Sequence, residues 1–422
     1  MPKRIVLTTW GSYGDLFPYL RIAIDLKALG HEPVLVTCAY YRDLVTQHGI
    51  EHHPLSPDIN PADEAVIARV MDPAHGTEVI LKELLVPEVR RAFADLSAAL
   101  GRADLVVSHP VTFATPLFGE SRRMRWLSTA LAPTSFFSVH DFPLLPPHPD
   151  VVRVARLSPW IARAFMALAR RMTSPWTEPL RAFRTELGLA DRGDPLYGGQ
   201  FSPHGTLALF SPLFGSPQKD WPARTTATGF VFGRDDEPLD ADLQRFLDAG
   251  DPPVVFTLGS SAVGAAGSFY QAAVEAARTL ERRAVLLVGR DARNRAGAPL
   301  PPEIAAVEYA PHAPLFRRAA AVVHHGGVGT TAEALRSGRP MLVVPHAHDQ
   351  PDNAFRAVRL GVARAIDARR FSAMTAAREL RRLLADQRTA DRAREIGERL
   401  SAEDGVGAAC DALVRAATGR TS

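Results

Sequence analysis

A glycine-rich turn that leads into a helical sequence is the clearest chemical signal in the chain. Residues 322–333 read VVHHGGVGTTAE, so an apolar strand pattern runs through glycines into a helix. The start of a helix presents backbone N–H groups without partners and the positive end of the helix dipole, which suits a diphosphate. Glycine lets a ligand approach the backbone closely. We therefore expect Gly327, Val328, Gly329 and Thr330 to hold a diphosphate.

The side chains around this turn strengthen that interpretation. His325 offers a ring N–H, Thr330 and Thr331 offer hydroxyl donors, and Glu333 lies one helical turn further on, where it can accept hydrogen bonds from ribose hydroxyls. A glycine-rich turn alone is often only a tight turn. The combination of these side chains favours a ligand site.

Asp349 and Gln350 form a second polar pair after the next strand pattern, residues 341–344. Ligands of open α/β sheets bind at the carboxyl ends of the strands. A carboxylate next to an amide suits the hydroxyl groups of a sugar. The alternative is that Asp349 only caps a helix that begins near Pro351.

Near the N-terminus, Asp15 stands in a turn after the first strand pattern, in the sequence Gly11-Ser12-Tyr13-Gly14-Asp15. The turn lacks the third glycine of the dinucleotide fingerprint, which argues against a nicotinamide dehydrogenase. A carboxylate between a strand and a helix can take a proton from an attacking hydroxyl. The alternative is a helix N-cap. His109 and His140 are further candidates for a cleft, although a structural or surface role is the commoner one for such histidines.

The elements that must position these residues alternate between strand and helix. Strand patterns occupy residues 4–9, 34–38, 50–55, 104–108, 254–258, 284–288, 319–324 and 341–344, and helical spacing occupies 16–29, 268–280 and the residues from 330 to 337. Such alternation predicts an α/β fold with parallel sheets. It restarts after residue 233, so two Rossmann-like domains are expected, facing each other across a cleft.

The predicted boundaries follow composition. Residues 1–210 form the N-terminal domain, the Pro-, Gly- and Thr-rich residues 211–232 a linker, and residues 233–402 the C-terminal domain. Residues 403–422 form a C-terminal helical segment, with the helix over 408–417 after Gly405 and Gly407, which is able to pack back on the N-terminal domain.

Residues 151–173 combine apolar side chains with five arginines and contain no acid. One interpretation is a helix packed on the sheet with its arginines in water. The other is a wall of an acceptor pocket or a helix on a membrane surface.

The overall composition excludes several classes of protein. Of the 422 residues, 46% are hydrophobic and 23% charged, and the net charge is only +3, without the basic run of a nucleic-acid-binding protein. Cys38 and Cys410 are too few for a disulfide framework or a thiolate metal site. No apolar leader or membrane-length stretch is visible, so a cytoplasmic protein is expected. Asp240-Ala241-Asp242 precedes a helix and is interpreted as capping acids, so no metal site is predicted.

Several motifs together resemble the C-terminal donor signature of family 1 glycosyltransferases, of which plant members carry the long form. They are Tyr309-Ala310-Pro311-His312, HHGGVGTTAEAL from His324, Gly338-Arg339-Pro340, Asp349-Gln350 and Asn353. The resemblance implies that Tyr309 stacks on the nucleobase, that His325 and residues 327–331 hold the diphosphate, that Glu333 binds the ribose, and that Asp349 and Gln350 bind the sugar. Plant enzymes carry Gln at the position of His312 and Asn at that of Gly329.

The same resemblance assigns a role to the N-terminal turn. The family places a catalytic His in a Gly-His-x-x-Pro turn, where this protein has Asp15, as bacterial relatives acting on glycopeptides, sterols and lipids do. It implies that Asp15 is the general base. The full set of expected donor-binding residues is Gly14, Ser260, Tyr309, Ala310, His312, His325, Gly327, Val328, Gly329, Thr330, Glu333, Asp349 and Gln350. The expected acceptor-binding residues are Tyr13, His109, Phe136 and His140.

Other stretches resemble the rhamnosyltransferases of rhamnolipid synthesis. They are residues 15–18 (DLFP), 145–149 (LPPHP), 220–222 (DWP), 228–230 (TGF), 243–248 (LQRFLD) and 347–350 (AHDQ). That similarity implies a hexose or deoxyhexose donor and a lipid-like, polyketide or phenolic acceptor.

The sequence thus predicts an inverting, metal-independent glycosyltransferase. It would move glucose or rhamnose from a UDP- or dTDP-sugar to a hydrophobic acceptor, without a cofactor and without a nucleic-acid partner. Glu333 suits a ribose 2′-hydroxyl, which favours UDP, although a 3′-hydroxyl alone would also serve a dTDP donor. A nucleotide-sugar epimerase of the same fold and a non-catalytic nucleotide-sugar-binding protein are the alternatives. Peripheral membrane contact and the oligomeric state stay open.

Overall fold

The computed structural model describes residues 1–61, 63–146, 152–233, 237–295 and 299–419. Residues 147–149 of the LPPHP stretch, residue 151 of the arginine-rich segment and residues 420–422 of the C-terminal segment lie outside that range. The contacts within the protein define two compact units. The first contains Met1–Asp63, His75–Val231 and Asp404–Ser422, and the second contains Glu64–Ala74 and Phe232–Glu403.

The first unit is built on a seven-stranded sheet in which every neighbouring pair is parallel. Its strands are β1 (Arg4–Thr8), β2 (Glu32–Thr37), β3 (Glu51–Pro54), β4 (Leu105–Ser108), β5 (Trp126–Ala130), β6 (Thr206–Ala208) and β7 (Thr225–Ala227). The order across the sheet is β3-β2-β1-β4-β5-β6-β7. The central strands are almost completely buried and rich in Val, Leu and Ile, because helices cover both faces of a parallel sheet.

Helices connect these strands. The α-helices of the first unit are Tyr13–Ala28, Arg42–Thr46, Gly76–Glu78, Val89–Leu100, Ala114–Ser121, Pro159–Thr173, Glu178–Glu186 and Gly405–Thr418. Shorter 3-10 turns occupy Ala39–Tyr41, Pro133–Phe136, Arg153–Leu157 and Ser174–Thr177, and Val79–Leu85 forms a π-helical segment.

The second unit repeats the pattern on a six-stranded parallel sheet. Its strands are β8 (Val254–Thr257), β9 (Ala284–Leu287), β10 (Ile304–Val307), β11 (Ala321–His324), β12 (Met341–Val343) and β13 (Ala363–Ala365), in the order β10-β9-β8-β11-β12-β13. Its α-helices are Glu64–Val70, Ala241–Asp248, Gly259–Ala262, Phe269–Thr279, His312–Arg317, Val328–Arg336, Gln350–Arg359, Ala373–Ala385 and Gln387–Ser401, and its 3-10 turns are Val263–Ala265, Ala292–Asn294 and Ala368–Arg370.

Both sheets reverse their strand order at one place. In the first sheet the polypeptide moves outwards from β1 to β3 on one side and from β4 to β7 on the other, so β1 and β4 flank the switch point. In the second sheet β8 and β11 flank it. Loops that leave the carboxyl ends of these strands diverge there and form a crevice. The prediction of two Rossmann-like α/β domains is confirmed.

Three stretches differ from what the sequence suggested: one within the predicted linker, one within the predicted first domain, and the start of the C-terminal helix. Residues 225–227, inside the predicted linker, form β7, because Thr225 and Thr226 are β-branched and pair with Thr206 and Leu207. Residues 64–74, predicted within the first domain, cluster with the second unit.

The third stretch is the C-terminal helix, which begins at Gly405 rather than at residue 408. The Asp404 carboxylate accepts a hydrogen bond from the Gly407 N–H at 2.8 Å and caps the helix. Gly405 is required by packing, since a Cβ there would lie 2.2 Å from the carbonyl oxygen of Phe230. Gly405 and Gly407, after which the helix was expected to begin, are therefore part of its first turn.

None of the helices in the described ranges combines the length and the apolar character that crossing a bilayer requires.

Candidate active site

Asp15 and His109 meet at the switch point of the first sheet. Asp15 lies in the first turn of helix Tyr13–Ala28, which follows β1, and His109 directly follows the end of β4. The Nε2 atom of His109 lies 3.4 Å from Oδ1 of Asp15. His109 is buried, whereas the side chain of Asp15 keeps 34% of its surface exposed. The structure thus pairs the predicted catalytic residue with one of the predicted acceptor-binding residues.

The second carboxylate oxygen of Asp15 has a structural task. Oδ2 accepts hydrogen bonds from the backbone N–H of Ser12 at 2.8 Å and from its hydroxyl at 3.2 Å. Ser12 is the N-cap of the helix, and Asp15, the third residue of the helix, completes the capping box, so Asp15 is not itself the N-cap. Gly11, with a φ of 135°, leaves room for this arrangement, since a Cβ there would lie 2.3 Å from Oδ2.

Two contacts fix the ring of His109. The backbone N–H of Val111 donates to Nδ1 at 3.3 Å, so in the neutral ring the proton sits on Nε2, which faces Asp15. The ring of Tyr19 meets that of His109 edge-on, with centroids 5.6 Å apart. Tyr19 is itself held by a hydrogen bond of 2.5 Å between its hydroxyl and that of Thr129. Burial raises the pKa of the Tyr19 hydroxyl, and the negative charge of Asp15 raises it further.

Aromatic side chains surround the same turn. Tyr13 stacks on Phe17 at 5.4 Å and meets Tyr40 and Tyr41 edge-on at 6.4 and 5.1 Å. The Tyr41 hydroxyl donates to the carbonyl oxygen of Gly11 at 2.9 Å and so anchors the turn. Phe17 and Tyr40 keep exposed surface. Tyr13, predicted to bind the acceptor, therefore belongs to a partly exposed aromatic group next to Asp15.

The other residues predicted for this half are placed differently. Phe136 is buried against Trp221, with centroids 4.4 Å apart, and against Phe201 and Phe210, which is a packing role. His140 is exposed, and its backbone N–H donates to the hydroxyl of Ser138 at 3.1 Å. The N–H of Gly14 donates to the Ser12 side chain at 3.2 Å, so it serves the helix cap.

In the second unit, His325 lies at the corresponding switch point, just after β11. Its ring lies between two glycines: a Cβ on Gly259, which follows β8, would lie 2.5 Å from its Cε1, and one on Gly327 would lie 2.4 Å from its Nε2. Gly259 has a φ of 61°. Ser260, its neighbour, is exposed in the first turn of the short helix Gly259–Ala262. Sequence reasoning missed Gly259 because its contact with His325 depends on β8 and β11 being neighbours.

The helix Val328–Arg336 presents the predicted diphosphate site at its N-terminus. Gly327 is the N-cap, and no side chain among the described residues caps the helix. The first intrahelical bond runs from the Thr331 N–H to the Gly327 carbonyl at 2.9 Å, which leaves the N–H groups of Val328, Gly329 and Thr330 ahead of it. The Thr331 hydroxyl also donates to Gly327, so it is not the ligand donor that the sequence suggested. Gly329 is exposed, with no protein atom within 4 Å of a Cβ placed there.

Glu333 forms an ion pair that was not predicted. Arg336, one helical turn later, donates to its Oε2 from Nη2 at 2.8 Å and from Nε at 3.2 Å, and both side chains are largely buried. The guanidinium of Arg336 lies 4.1 Å above the ring of Phe232. The i, i+3 spacing of opposite charges was the sequence signal for this pair.

Asp349 and Gln350 are both held by their surroundings. Asp349 stands at the N-cap position of helix Gln350–Arg359 without a capping bond from its side chain, and Oδ2 instead accepts a hydrogen bond from the Asn353 amide at 2.8 Å. The same amide donates to the carbonyl oxygen of Gly326 at 2.9 Å, which ties this helix to the glycine-rich turn. The amide oxygen of Gln350 accepts from the N–H groups of His346 and Ala347. Just before this pair, His348 adopts a left-handed φ of 56°.

Tyr309 and His312 have contrasting environments. The ring of Tyr309 is 62% exposed, as a stacking platform requires. Partial burial of its hydroxyl raises its pKa to about 12, helped by the carboxylate of Glu237. His312 stacks on Phe316 with centroids 4.6 Å apart, and burial lowers its pKa to about 4. Ala310, between them, is buried.

Burial also keeps the histidines of the turn neutral. It lowers the pKa of His325 well below its usual value and that of His324 to about 3, and neighbouring histidines add to both effects. Nδ1 of His324 accepts from the Gly326 N–H at 3.1 Å. A neutral His325 can donate one ring N–H to an anionic ligand without itself adding a charge.

The predicted capping role of Asp240 is confirmed, since its Oδ1 accepts from the N–H groups of Asp242 and Leu243 at 2.9 and 3.4 Å. Among the described residues, no group of three or more histidine, cysteine, aspartate or glutamate side chains is arranged to hold a metal ion.

Comparison with known proteins agrees with this layout. Residues 5–95 match the glycosyltransferase family 28 N-terminal domain, and residues 273–406 match the erythromycin biosynthesis protein CIII-like C-terminal domain. The protein is 35% identical over 99% of both sequences to the O-mycaminosyltylonolide 6-deoxyallosyltransferase of Streptomyces fradiae. It is 29% identical over 98% of its length to the sterol 3-beta-glucosyltransferase of Emericella nidulans, of which it spans 30%.

The fold matches solved glycosyltransferases as well. The glycosyltransferase VinC in complex with dTDP superposes with a TM-score of 0.68 at 21% identity, over 99% of this protein and 100% of that one. The two Rossmann-like units, the matched domains and the full-length similarity to the Streptomyces enzyme establish that the protein belongs to the family 1 glycosyltransferases of the GT-B fold.

Proposed function

We propose that this glycosyltransferase transfers a 6-deoxyhexose or hexose from a dTDP- or UDP-sugar to a hydroxyl group of an apolar acceptor, with inversion at the anomeric carbon. The observation that carries the proposal is the position of Asp15, whose Oδ1 is partly exposed beside Nε2 of His109. Its other oxygen is fixed by the Ser12 N–H, so the orientation of the carboxylate is set before any acceptor binds.

In the proposed reaction the acceptor hydroxyl attacks the anomeric carbon and loses its proton to Oδ1 of Asp15. The bond between the anomeric carbon and the diphosphate oxygen breaks, and the electron pair leaves with the diphosphate. An alcohol is a weak nucleophile, so a positioned base contributes about 10²–10⁴-fold to the rate. The N–H of His109, which faces Oδ1, keeps this oxygen directed at the acceptor.

The departing diphosphate needs positive potential in place of a metal ion. The N–H groups of Val328, Gly329 and Thr330 at an uncapped helix start provide it, together with the helix dipole. His325, held neutral by burial, adds a ring N–H. We propose that the enzyme needs neither a metal ion nor a cofactor and that the nucleotide sugar is its only co-substrate.

For the sugar nucleotide we favour dTDP over the UDP that the sequence suggested. The carboxylate of Glu333 holds Arg336 with Oε2, so only part of it serves a ribose. The single 3′-hydroxyl of dTDP requires fewer hydrogen bonds to this carboxylate than the two ribose hydroxyls of UDP do. The name of the Streptomyces relative denotes transfer of a 6-deoxyhexose, and VinC was crystallised with dTDP. Tyr309 would stack on either pyrimidine.

The acceptor is proposed to be an apolar polycyclic or macrocyclic alcohol. The named relatives act on a glycosylated tylonolide and on sterols. In this protein the aromatic group of Tyr13, Phe17 and Tyr40 offers partly exposed ring faces beside Asp15, which suits such a surface.

A donor panel tests the proposal. The protein would be incubated with dTDP- and UDP-linked glucose and rhamnose, a generic phenol or a sterol, and excess EDTA, and products would be identified by mass spectrometry. We expect an acceptor glycoside and free nucleotide diphosphate, with the dTDP donors more efficient. Activity that EDTA abolishes and magnesium or manganese restores would disprove metal independence. Conversion of the nucleotide sugar to its epimer without an acceptor would disprove transfer.

A single variant distinguishes the two nucleotides. Glu333→Ala should raise the KM of a UDP-sugar and of a dTDP-sugar by similar factors if only the 3′-hydroxyl is bound. A clearly larger increase for the UDP-sugar would return the preference to UDP, since only UDP carries the 2′-hydroxyl.

A further inference from the structure

The arginine-rich segment has no part in the proposed chemistry, yet its structure is specific. A 3-10 turn, Arg153–Leu157, leads through Ser158 into helix Pro159–Thr173, and the Ser158 side chain caps the helix by accepting from the Trp160 N–H at 3.3 Å. Residues 152–177 contain five arginines and not one aspartate or glutamate.

One face of this helix is anchored. Ala162 and Met166 are buried with Phe142 and Ala155 in a small cluster of their own, which Phe137 and Phe165 border. The members of this cluster lie in loops and helices after β5 and not in the strands, so this face of the helix packs on those loops and helices. The anchored face fixes which side chains point outwards.

The outer face is apolar. Trp160, Leu168 and Met172 are exposed by 78%, 57% and 66%, and with Ala164 they follow each other at intervals of four residues, which places them in one row along the helix. Leu157 and Val154, in the preceding 3-10 turn, are exposed too. These five make up nearly half of the twelve large apolar side chains exposed among the described residues. Such a concentration marks a surface that is covered by something else.

The charges beside the row select what covers it. Arg163 lies 5.0 Å over the ring of Trp160, which belongs to the row, and Arg170 lies 5.4 Å over the ring of Tyr197. Arg171 is exposed between Leu168 and Met172. Arg156, in contrast, is neutralised by Asp141 at 2.6 Å and has a structural role. The surface thus combines exposed apolar side chains with arginines and, over residues 152–177, no acidic residue, which is the pattern of a helix that binds an anionic membrane interface.

We infer that residues 154–172 dock on a bilayer surface that contains anionic lipid. The row of Trp160, Leu168 and Met172 enters the boundary between headgroups and acyl chains, where tryptophan is favoured, and Arg163, Arg170 and Arg171 meet the phosphates. This is an interfacial helix and not a spanning one. The inference is independent of the proposed base and donor, although an apolar acceptor would concentrate in the same layer.

Vesicle flotation of the full-length protein tests the inference. We expect the protein to float with vesicles of phosphatidylcholine and phosphatidylglycerol, and much less with phosphatidylcholine alone or in high salt, which screens the charges. The triple variant Trp160→Ser, Leu168→Ser, Met172→Ser should lower the bound fraction at least about tenfold, because it removes three inserting side chains. Met374→Ser is the matched control, since Met374 is 76% exposed and lies in the second unit.

A second variant tests the charges. Arg163→Gln with Arg171→Gln should remove most of the preference for anionic vesicles and leave the weaker binding to neutral vesicles. Both variants are at the surface, so the thermal unfolding transition and the rate on a water-soluble phenol should stay at wild-type values.

Three results would overturn the inference: wild-type protein that does not float with anionic vesicles, flotation that the triple variant leaves unchanged, or a dimer in light scattering that the triple variant converts to a monomer. The last result would identify the row as a protein interface.

Discussion

The Nε2 atom of His109 lies 3.4 Å from Oδ1 of Asp15, where the neighbouring strands β4 and β1 end. The two oxygens of Asp15 thereby have separate tasks, because Oδ2 belongs to the capping box of helix Tyr13–Ala28 while Oδ1 faces His109. A structural role and a catalytic role are therefore compatible in one side chain. Experiments must separate the two.

Asp15→Asn tests the catalytic role. An asparagine oxygen still accepts the Ser12 N–H, so the helix cap survives, but the amide cannot take a proton. We expect kcat on an aliphatic alcohol to fall by about 10²–10⁴-fold, with the affinity for the nucleotide sugar unchanged. A phenol of low pKa should suffer least, because it needs less help to ionise. Steady-state kinetics with both acceptors and calorimetry of donor binding measure these effects.

Ser12→Ala is the matched control for the cap. It removes the capping hydroxyl but leaves Asp15, and should lower the stability by about 1 kcal/mol with little change in kcat. If Asp15→Asn turns over an aliphatic alcohol at the wild-type rate, Asp15 is not the base.

His109→Phe tests whether His109 positions Asp15. Phenylalanine preserves the edge-on contact with Tyr19 and removes the N–H that faces Oδ1. We expect kcat on an aliphatic alcohol to fall by less than in Asp15→Asn, with the donor affinity unchanged, because Oδ1 loses the group that holds it in place. Loss of stability with an unchanged kcat would mean that His109 only fills space.

Much of the architecture was predictable from local patterns. Strands and helices alternate twice, each strand is a short apolar run, and the second set opens with the same Gly/Ser turn as the first, so two Rossmann-like halves followed from the sequence. Element ends were less accurate. The helix after β1 begins at Tyr13 and not at Leu16, because the Ser12 cap precedes the first apolar residue of the repeat.

The contacts that complete the site were not predictable in the same way. The contact of Gly259 with His325 and that of Asp15 with His109 join residues far apart in the sequence, and both depend on the strand order at the switch points. The Glu333–Arg336 pair lies within one helix, and its i, i+3 spacing predicts it, but the donor motif includes only the glutamate. Motifs identify the residues that face a ligand, whereas the residues that hold them in position are known only from the fold.

Gly259→Ala should weaken donor binding without touching the ligand. The new Cβ would lie 2.5 Å from Cε1 of His325, so the ring must move, and the left-handed φ of 61° adds strain. We expect a loss of donor affinity approaching that of His325→Ala, which should be about 1.5–3 kcal/mol if a hydrogen bond to the charged diphosphate is lost. The double variant should be little worse than either one, because both act through the same ring.

Gly361→Ala is the control for the left-handed backbone conformation. Gly361 has a φ of 77°, and only the flexible Arg392 side chain lies near a Cβ placed there. It should lower stability and leave the affinity for dTDP and UDP unchanged by calorimetry. Equal donor affinities for wild type and His325→Ala would refute the placement of the diphosphate.

The stability of the second unit should fall as the pH is lowered below about 6.5. Burial lowers the pKa of His312 to about 4 and that of His324 to about 3, so both stay neutral in the folded protein where they would be protonated in the unfolded one. The unfolded state therefore binds more protons in this range, and each such histidine costs up to about 1.4 kcal/mol per pH unit. Above the pKa that these histidines have in the unfolded protein, about 6.5, the protein keeps its full stability, and this stability is lost progressively as the pH falls.

His312→Gln measures one share of this dependence, with the residue that plant relatives carry at that position. Thermal or urea unfolding of the variant should show a difference between pH 7 and about pH 5 that is smaller than in wild type by roughly 1–2 kcal/mol. An identical pH dependence in wild type and His312→Gln would contradict the buried neutral state.

Gly329→Ala gives the sharpest test of the diphosphate site, because no steric constraint within the protein itself requires glycine at this position. No protein atom lies within 4 Å of a Cβ placed there, and the residue is in the helical region at the start of helix Val328–Arg336. In the free protein, alanine should therefore be neutral or stabilise the helix by about 0.5–1 kcal/mol. If the diphosphate rests on the N–H of Gly329, the added methyl group meets its oxygens, and the affinity for dTDP should fall at least about tenfold.

Gly233→Ala, also in open space in the second unit, is the control that should bind dTDP normally. A Gly329→Ala protein that is as stable as wild type and binds dTDP equally well would mean that the ligand does not approach this turn, and that the helix start at Val328 is not the site where the leaving group is held.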